Sequence, residues 1–407
     1  MVSTGRAELP GPEDADRDRP SDALQTAVRE SFPTDPAGQQ AIDQKLHRRG
    51  GPGWTPLALS RLVDGVRALL DERVGAGCEI REPRWLTGGA SKIQMAFTVV
   101  LPGQQPRRML LRMDPPETLN ATNKSTEFEV LRAVGAVLPV PEAPWMDATG
   151  EFLPEPALIC GFVDGVTKPA LTSTGQVTGL GTNFGASLRP SLGADFVTHL
   201  AALHTLPVTG VQSPAVVAPR TGTSESALWR LNFERQLWEL DRGEDVPLMD
   251  VAGGWLARTA PVLDRVSVVH GDYRSGNFLF DEACGRITAW LDWESCHLGD
   301  RHADLAYCTQ PLYGHYAEDG ETFLAGGLLP VPDLLRMYEE ASGLSIDPVR
   351  LGWYSILCSY SAVVKTLATS YRVARLGRSH QDVLLARLEG TVPVLLQQLS
   401  TKLEEVL

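Results

Sequence analysis

The stretch VVHGDYRSGNFLFD, residues 268–281, places charged and polar side chains between two apolar runs that are typical of β-strands. Asp272 is followed five positions later by Asn277, and Gly276 between them permits a tight turn. A carboxylate here can orient a hydroxyl and accept its proton, while an amide oxygen on the same loop can bind Mg²⁺ without adding charge. Because phosphoryl transfer uses this spacing, Asp272 is the candidate catalytic residue and Asn277 a candidate metal ligand.

A second candidate metal ligand follows the next predicted strand. Residues 287–291 (ITAWL) predict a strand that forms a hairpin with the preceding one, and Asp292 comes directly after it. Mg²⁺ prefers a few carboxylate and amide oxygens together with substrate phosphates. We therefore predict that Asp292 binds Mg²⁺ opposite Asn277. Glu294 is either a supporting metal or substrate contact or an exposed carboxylate, and both alternatives stay open.

Sheet-forming patterns dominate the first half of the chain. Apolar residues at helical spacing precede several short β-branched runs bounded by Gly and Pro. Two of these runs are close enough to form a hairpin, which predicts an antiparallel sheet. The predicted elements are a helix over 55–75, strands over 79–86, 93–101, 108–113 and 157–163, and a helix over 125–134 capped by Ser125 or Thr126.

Helical patterns dominate the second half, with predicted helices over 196–206, 227–240 and most of the chain after 334. Residues 166–190 are rich in Gly, Thr and Ser and predict a long loop. The predicted fold class is α+β. The predicted domains are a flexible N-terminal arm (1–50), a sheet-rich N-lobe (51–163), and a helical C-lobe (164–407) that carries the catalytic hairpin and the acceptor pocket.

Composition argues against several kinds of partner. The 407 residues carry a formal net charge of −13, so a nucleic-acid or anionic-membrane surface is not expected. No stretch reaches the roughly 18 uncharged apolar residues of a membrane span. The six cysteines form no C-x-x-C pair and the polar N-terminus lacks a signal-peptide pattern, so we expect a cytoplasmic protein with reduced thiols. The oligomeric state is not predicted.

Two segments together resemble a known family. HGDYRSGNFLFD (270–281) and AWLDWESCHLGDRHADLAY (289–307) are similar to the paired motifs of the aminoglycoside phosphotransferase and choline kinase-like family. The resemblance is strongest to bacterial phosphotransferase-family proteins and to the kinase-like domain fused to acyl-CoA dehydrogenases, and it extends over about residues 80–370. It implies a protein-kinase-like two-lobed fold and a small-molecule kinase that uses Mg²⁺ and ATP, with GTP possible.

The resemblance also implies a nucleotide site in the N-lobe. The loop of residues 87–91 stands where the family covers the nucleotide, and Arg112 stands where the family binds phosphates with a cation, often Lys. Arg112 would neutralise the phosphates during transfer, and its helix partner would be Glu127 or, as the alternative, Glu129. The backbone groups of Gly161 and Val163 would contact the adenine. The full set of implied nucleotide-binding residues is Gly88, Gly89, Ser91, Arg112, Glu127, Gly161 and Val163.

The roles of several residues near these motifs are less specific. His270 either supports the backbone of the loop or acts as a base, and support is favoured. Asp304 is expected to accept backbone N–H groups of the same loop. Arg274 either binds phosphate or pairs with a carboxylate.

The expected partners are a nucleoside triphosphate and a small hydroxyl-bearing acceptor, whose identity the sequence does not give. Two alternatives remain: a catalytically silent kinase-fold binding protein, favoured only by Arg112 in place of Lys, and a choline- or homoserine-kinase-like metabolic enzyme. No G-x-x-x-x-G-K-[ST] and no G-x-S-x-G segment occurs, which disfavours a Walker-type NTPase and an α/β-hydrolase.

Overall fold

The computed structural model describes residues 17–86, 92–170, 180–211 and 215–407. The first part of the chain contains helices α1–α3, a sheet of five strands and helix α4. These elements are α1 (Asp22–Ser31), α2 (Pro36–Arg49), α3 (Leu59–Val74), β1 (Glu79–Trp85), β2 (Ile93–Val100), β3 (Arg107–Met113), α4 (Lys124–Val134), β4 (Trp145–Asp147) and β5 (Ala157–Gly161).

The second part is mostly helical and holds three short β-ribbons. Its elements are α5 (Gly185–Thr205), α6 (Glu225–Asp241), α7 (Pro247–Arg258), β6 (Ser267–Val269), β7 (Phe278–Asp281), β8 (Arg286–Trp290), β9 (His297–Gly299), α8 (His302–Cys308), β10 (His315–Tyr316), β11 (Phe323–Ala325), β12 (Leu329–Pro330), α9 (Val331–Ser342), α10 (Pro348–Val363), α11 (Tyr371–Arg375), α12 (Asp382–Leu388) and α13 (Val392–Glu404). A π-helical segment, Val364–Ser370, joins α10 to α11.

The five-stranded sheet is antiparallel throughout, in the order β1-β2-β3-β5-β4, as the hairpin pattern predicted. Alternation along β3 sends Leu111 to one face, where it packs in the core that contains Leu62 and Val66 of α3. The same alternation sends Arg112 to the opposite face, toward α4. The period-two pattern of β3 therefore buries apolar residues under α3 and leaves a cation facing the interlobe cleft.

The N-cap of helix α4 lies two or three residues before the predicted caps Ser125 and Thr126. Asn123 is the cap, and its Oδ1 accepts the N–H of Thr126 at 3.1 Å. Asn is as good an N-cap as Ser, so the correction reflects the wider choice of capping residues at this site. Val130 and Leu131 of α4 are buried in the same core as Phe196 of α5.

The N-terminal segment is not a flexible arm over residues 22–49, and that prediction was wrong there. Val28 of α1 and Ile42 of α2 are buried in the core that contains α6 and α10. Much of the remaining attachment is ionic, because Lys45 and Arg49 of α2 are buried against carboxylates. The polar composition of the segment resembles that of a loop, although two of its cations, Lys45 and Arg49, are paired inside the protein.

Two other boundaries differ from the sequence pattern. Helix α5 starts at Gly185, within the range predicted as a loop, and contains Pro190 at its sixth position, where the proline has no N–H to donate to the preceding turn. The last helical region contains the π-segment, whose wider turns interrupt an otherwise α-helical run. In the described parts of the chain, no helix combines the length and the hydropathy needed to cross a lipid bilayer.

Candidate active site

The catalytic loop lies between β6 and the hairpin formed by β7 and β8. Phe278 pairs with Trp290 in that hairpin, and the N–H of Leu291 donates to the carbonyl of Asn277 at 2.7 Å. The β6 strand pairs separately with β9. These pairings bring the loop that carries Asp272 next to the chain that carries Asp292.

Asp304 holds the start of the loop. Its two carboxylate oxygens accept the backbone N–H groups of His270 at 2.7 Å and Gly271 at 2.8 Å, and the carboxylate is fully buried. The His204 ring contacts the same carboxylate at 3.3 Å. These bonds agree with the role expected for Asp304, which is to fix backbone rather than to touch a reacting group.

His270 supports the loop rather than facing a substrate. Its Nε2 contacts the carbonyl of Leu291 at 3.0 Å, and its Nδ1 accepts the N–H of Asp272 at 3.2 Å. This pattern requires the neutral ring, with the proton on Nε2. Burial lowers the pKa of His270 and outweighs the nearby carboxylates, which favours that form. The geometry therefore supports the first of its two interpretations.

Asp272 is held by its own loop and remains partly accessible. Asn277 Nδ2 donates to Asp272 Oδ2 at 2.7 Å and to its carbonyl at 2.9 Å, while Arg274 Nε donates to Oδ1 at 2.9 Å. Burial opposes ionisation of Asp272, but the Arg274 guanidinium and the Tyr307 hydroxyl outweigh it and lower the pKa. The side chain is thus an oriented carboxylate, and Arg274 pairs with it.

Asp292 has an unusual backbone conformation. Its φ of 63° lies in the left-handed region, which costs energy in a residue with a Cβ and is found where the surroundings fix it. Burial and the neighbouring Glu294 carboxylate raise the pKa of Asp292 to about 7, against the opposing effect of Arg112. A cation bound beside Asp292 would favour its ionised form.

Arg112 connects the two lobes at this point. Its guanidinium donates to Glu127 of α4 at 3.0 Å and to Asp292 at 2.8 Å. Burial opposes the charge of Arg112, but the two carboxylates outweigh it and raise its pKa. Glu127, and not Glu129, is the partner that the structure brings to Arg112. A side chain of β3, one of α4 and one following β8 are thus joined in a single contact.

The donor set fits a divalent cation. Asp292 offers a carboxylate whose side chain is 24% exposed, and Asn277 uses its amide nitrogen for Asp272, which leaves Oδ1 for a ligand. The described residues contain no group of three or more His, Cys, Asp or Glu side chains that could hold a metal ion by themselves. Two protein oxygens are what a Mg²⁺ site built around substrate phosphates requires.

Four buried residues extend this site, and only one of them was considered from the sequence. Lys92 contacts Asp114 at 2.7 Å and Glu294 at 2.5 Å, and Lys124 contacts Asp114 at 2.9 Å. Lys124 also reaches Glu127 at 2.9 Å. Glu294 is therefore a buried, paired carboxylate and not an exposed one. Lys124 stands three residues before Glu127, a helix spacing that could have revealed this pair.

The nucleotide-binding residues implied in the N-lobe fall into two groups. Gly88, Gly89 and Ser91 lie outside the described residues. The N–H of Gly161 donates to the carbonyl of Glu142 at 2.8 Å, so this donor is engaged within the protein and an adenine contact from Gly161 would have to use its carbonyl. Val163 follows β5 in a half-buried, irregular segment.

Gly271→Ala is expected to destabilise the catalytic loop. Gly271 has φ of 78°, and an added Cβ would clash with the carbonyl oxygen of Ser295 and lie 2.9 Å from its Cβ. We expect a loss of about 1–3 kcal/mol in the free energy of unfolding, measured by urea denaturation. Gly320→Ala is the matched control, since φ is 73° there but an added Cβ meets nothing within 4 Å. Equal losses in the two variants would show that the contact with Ser295 is unimportant.

Comparison with known families shows the family to which the chain belongs. A sequence model of the phosphotransferase enzyme family (APH) matches residues 94–344, more than half of the chain. The chain belongs to this family. The match includes Arg112, Glu127 and the whole segment from Asp272 to Asp304, so the resemblance found in the two motifs is confirmed.

Two curated relatives are similar to parts of the chain. The phosphotransferase-family chain is 32% identical over 121 residues to acyl-CoA dehydrogenase family member 11 of Gallus gallus, which is 28% of this chain and 16% of that protein. It is 32% identical over 119 residues to an aminoglycoside 3'-phosphotransferase of Streptomyces fradiae, which is 27% of this chain and 41% of that protein. The matches span well under half the length of either relative.

A solved structure supports the fold. A candidate aminoglycoside phosphotransferase from Ralstonia eutropha superposes with a TM-score of 0.61, covering 84% of this chain and 98% of that one, at 19% identity. This likeness concerns architecture alone, and it confirms the predicted protein-kinase-like fold. The small antiparallel sheet with α4 is the N-lobe, and the helical part from α5 onward is the C-lobe.

Proposed function

We propose that the protein is a small-molecule kinase that transfers the γ-phosphoryl group of ATP, or of GTP as an alternative, to a hydroxyl of a small acceptor. Family membership supports phosphoryl transfer in general. The observation that carries the proposal is the double contact of Arg112 with Glu127 and Asp292, beside the oriented Asp272 carboxylate. A cation, two metal-binding oxygens and a base are the set that phosphoryl transfer uses.

Each side chain would have one task. Asp272 would orient the acceptor hydroxyl and take its proton, and Asn277 holds Asp272 in position through its amide nitrogen. Asn277 Oδ1 and Asp292 would hold Mg²⁺, which when bound neutralises phosphate charge and aligns the phosphates. Arg112 would contribute positive charge at the α- and β-phosphates. The chemistry then depends on positioning and electrostatics rather than on a covalent intermediate.

The catalytically silent alternative is less well supported. It rested on Arg112 in place of the more usual Lys. Arg112 nevertheless makes the ion pair with α4 that such a cation requires, and its two-pronged guanidinium is able to contact Glu127 and Asp292 at once. Asp272, Asn277 and Asp292 are all present and close together. These contacts favour an active phosphotransferase.

Asp292→Asn is expected to abolish Mg²⁺-dependent nucleotide binding. A ligand at 100 times its Kd stabilises the folded state by about 2.7 kcal/mol, which corresponds to a shift of roughly a few degrees in Tm for a chain of this size. Tm should rise with MgATP or MgGTP in the parent protein, and should rise much less with nucleotide plus EDTA. In the variant we expect the Mg²⁺-dependent part of the shift to vanish.

The control is Asp250→Asn, which removes an exposed carboxylate of α7. It should keep the full nucleotide shift. A normal MgATP shift in Asp292→Asn would mean that the metal is held elsewhere. No shift with any nucleotide in the parent protein would favour the binding-protein alternative.

A further inference from the structure

A cavity lies between the two lobes next to the candidate active site. Its empty volume, open mouth included, is about 830 Å³, a size typical of small-molecule sites. Its walls come from the start of α2, the start of α4, α6, the segment after Asp292, and Lys365. Trp229 and Phe233 of α6 supply an apolar wall. The walls formed by α2 and Lys365 lie outside residues 94–344, the range matched by the family model.

Two of the carboxylates that line this cavity, Glu294 and Asp35, already have hydrogen-bond or ion-pair partners. Glu294 contacts Lys92 at 2.5 Å and accepts from Asn120 at 2.7 Å. Asp35 caps α2 by accepting the N–H of Gly38 at 2.9 Å.

Glu234 differs from these carboxylates because its two oxygens have different surroundings. Arg230 lies 3.6 Å from Glu234 Oε1, so the charge of Glu234 has a counter-charge. The other oxygen, Oε2, is buried and accepts no hydrogen bond from the described residues. A buried acceptor without a donor is costly, so this oxygen favours an acceptor molecule that offers a neutral O–H donor.

Lys365 is a cation of the cavity without an ion pair among the described residues. It lies in the π-helical segment and lines both this cavity and a smaller adjoining one that contains Tyr307 and Tyr313. No hydrogen bond or ion pair joins its ammonium group to any residue in the described part of the chain. The Tyr307 side chain, which lines the adjoining cavity together with Lys365, hydrogen-bonds to Asp272, so Lys365 lies on the side of the cavity nearest that carboxylate.

We propose that the acceptor is a small hydroxy compound that also carries an anionic group, bound by Lys365 while the hydroxyl lies at Asp272. This inference rests on the proposed phosphotransferase activity. Lys365 is half-buried and has no ion pair with the described residues, while Glu294 lies against Lys92, Glu234 against Arg230, and Asp35 accepts a backbone N–H. This charge arrangement favours an anionic group on the acceptor and disfavours a polycationic acceptor. Glu234 Oε2 takes a hydrogen bond from a second hydroxyl of the acceptor. A hydroxycarboxylate with two hydroxyls has all of these groups.

The transfer step is balanced without another reactant. The acceptor oxygen forms a bond to the γ-phosphorus, and the bond from that phosphorus to the β–γ bridging oxygen breaks. The acceptor proton goes to Asp272 and then to solvent, and the nucleoside diphosphate leaves. Lys365 takes no proton in this step and acts only in binding and selectivity.

The experiment compares matched acceptors. Phosphoester formation from MgATP is followed by ³¹P NMR and by ADP release, with D-glycerate against glycerol, 3-hydroxybutyrate against butane-1,3-diol, and choline and kanamycin as cations. We expect the acid of each pair to be preferred. Lys365→Met should reduce the ratio of kcat/KM for glycerate over glycerol by about 10- to 100-fold. Lys365→Arg, which keeps the charge, should restore most of that ratio.

The outcomes separate this inference from the proposed function. Preference for the diols or for the cations would overturn the inference, as would a ratio that Lys365→Met does not change. Absence of transfer to either acid, in a protein that hydrolyses MgATP, would also overturn it and leave the kinase activity standing. Failure to bind or hydrolyse either MgATP or MgGTP would instead overturn the proposed function.

Discussion

Asp272→Asn is expected to lower kcat by about 10²- to 10⁴-fold, the range typical of a lost acid–base group. The substitution keeps the size of the side chain but removes the carboxylate that would take the acceptor proton. The carboxylate is ionised at neutral pH, because Arg274 and Tyr307 lower its pKa. Steady-state ADP release from MgATP, with glycerate as acceptor and with water alone, measures the loss.

Binding distinguishes a catalytic role of Asp272 from a structural one. Asp272 is not a proposed metal ligand, so the MgATP-induced rise in Tm should persist in Asp272→Asn. Asp250→Asn, at an exposed position on α7, should keep both activity and binding. Unchanged turnover in Asp272→Asn would show that this residue only shapes its loop. Loss of the Tm shift together with activity would indicate that the substitution disturbs the whole site.

Arg49→Met is expected to lower the free energy of unfolding by about 3–5 kcal/mol, the cost of leaving buried charges without a partner. Arg49 is 1% exposed and contacts Glu117, in the N-lobe, at 2.8 Å. It also pairs with Asp241 at the end of α6 and donates to the carbonyl of Leu240 at 3.1 Å. Methionine fills similar space but leaves both carboxylates with fewer cations. Equilibrium urea denaturation measures the change.

The matched control is Arg29→Met on α1. Arg29 pairs with Asp43 at 2.7 Å, but the two side chains are 50% and 42% exposed, so the loss should be about 0–1 kcal/mol. If residues 22–49 were a flexible arm, both variants would have the same small effect. A large loss only in Arg49→Met would establish that α2 joins the lobes through its buried charges.

The catalytic loop could be predicted because its functional residues lie close together in the sequence. Asp272 and Asn277 precede the β7–β8 hairpin and Asp292 follows it, so spacing and strand pattern limit the geometry. The antiparallel sheet could be predicted for the same reason, because the short spacing between the runs that form β2 and β3 suits a hairpin. The pairing of Arg112 with Glu127 was within reach of the sequence because the family resemblance placed it and the helix pattern reduced the partners to two.

The sequence by itself determined the family, the order of lobes and the side chains expected to do chemistry. Only the tertiary structure decided that residues 22–49 dock, that Lys92 joins Asp114 to Glu294, and that Lys365 reaches the cavity beside Asp272. The physical reason is the same in each case. A buried charge looks like a surface charge in the sequence, and its partner lies far along the chain, so only folding shows whether the charge is neutralised or left for a ligand.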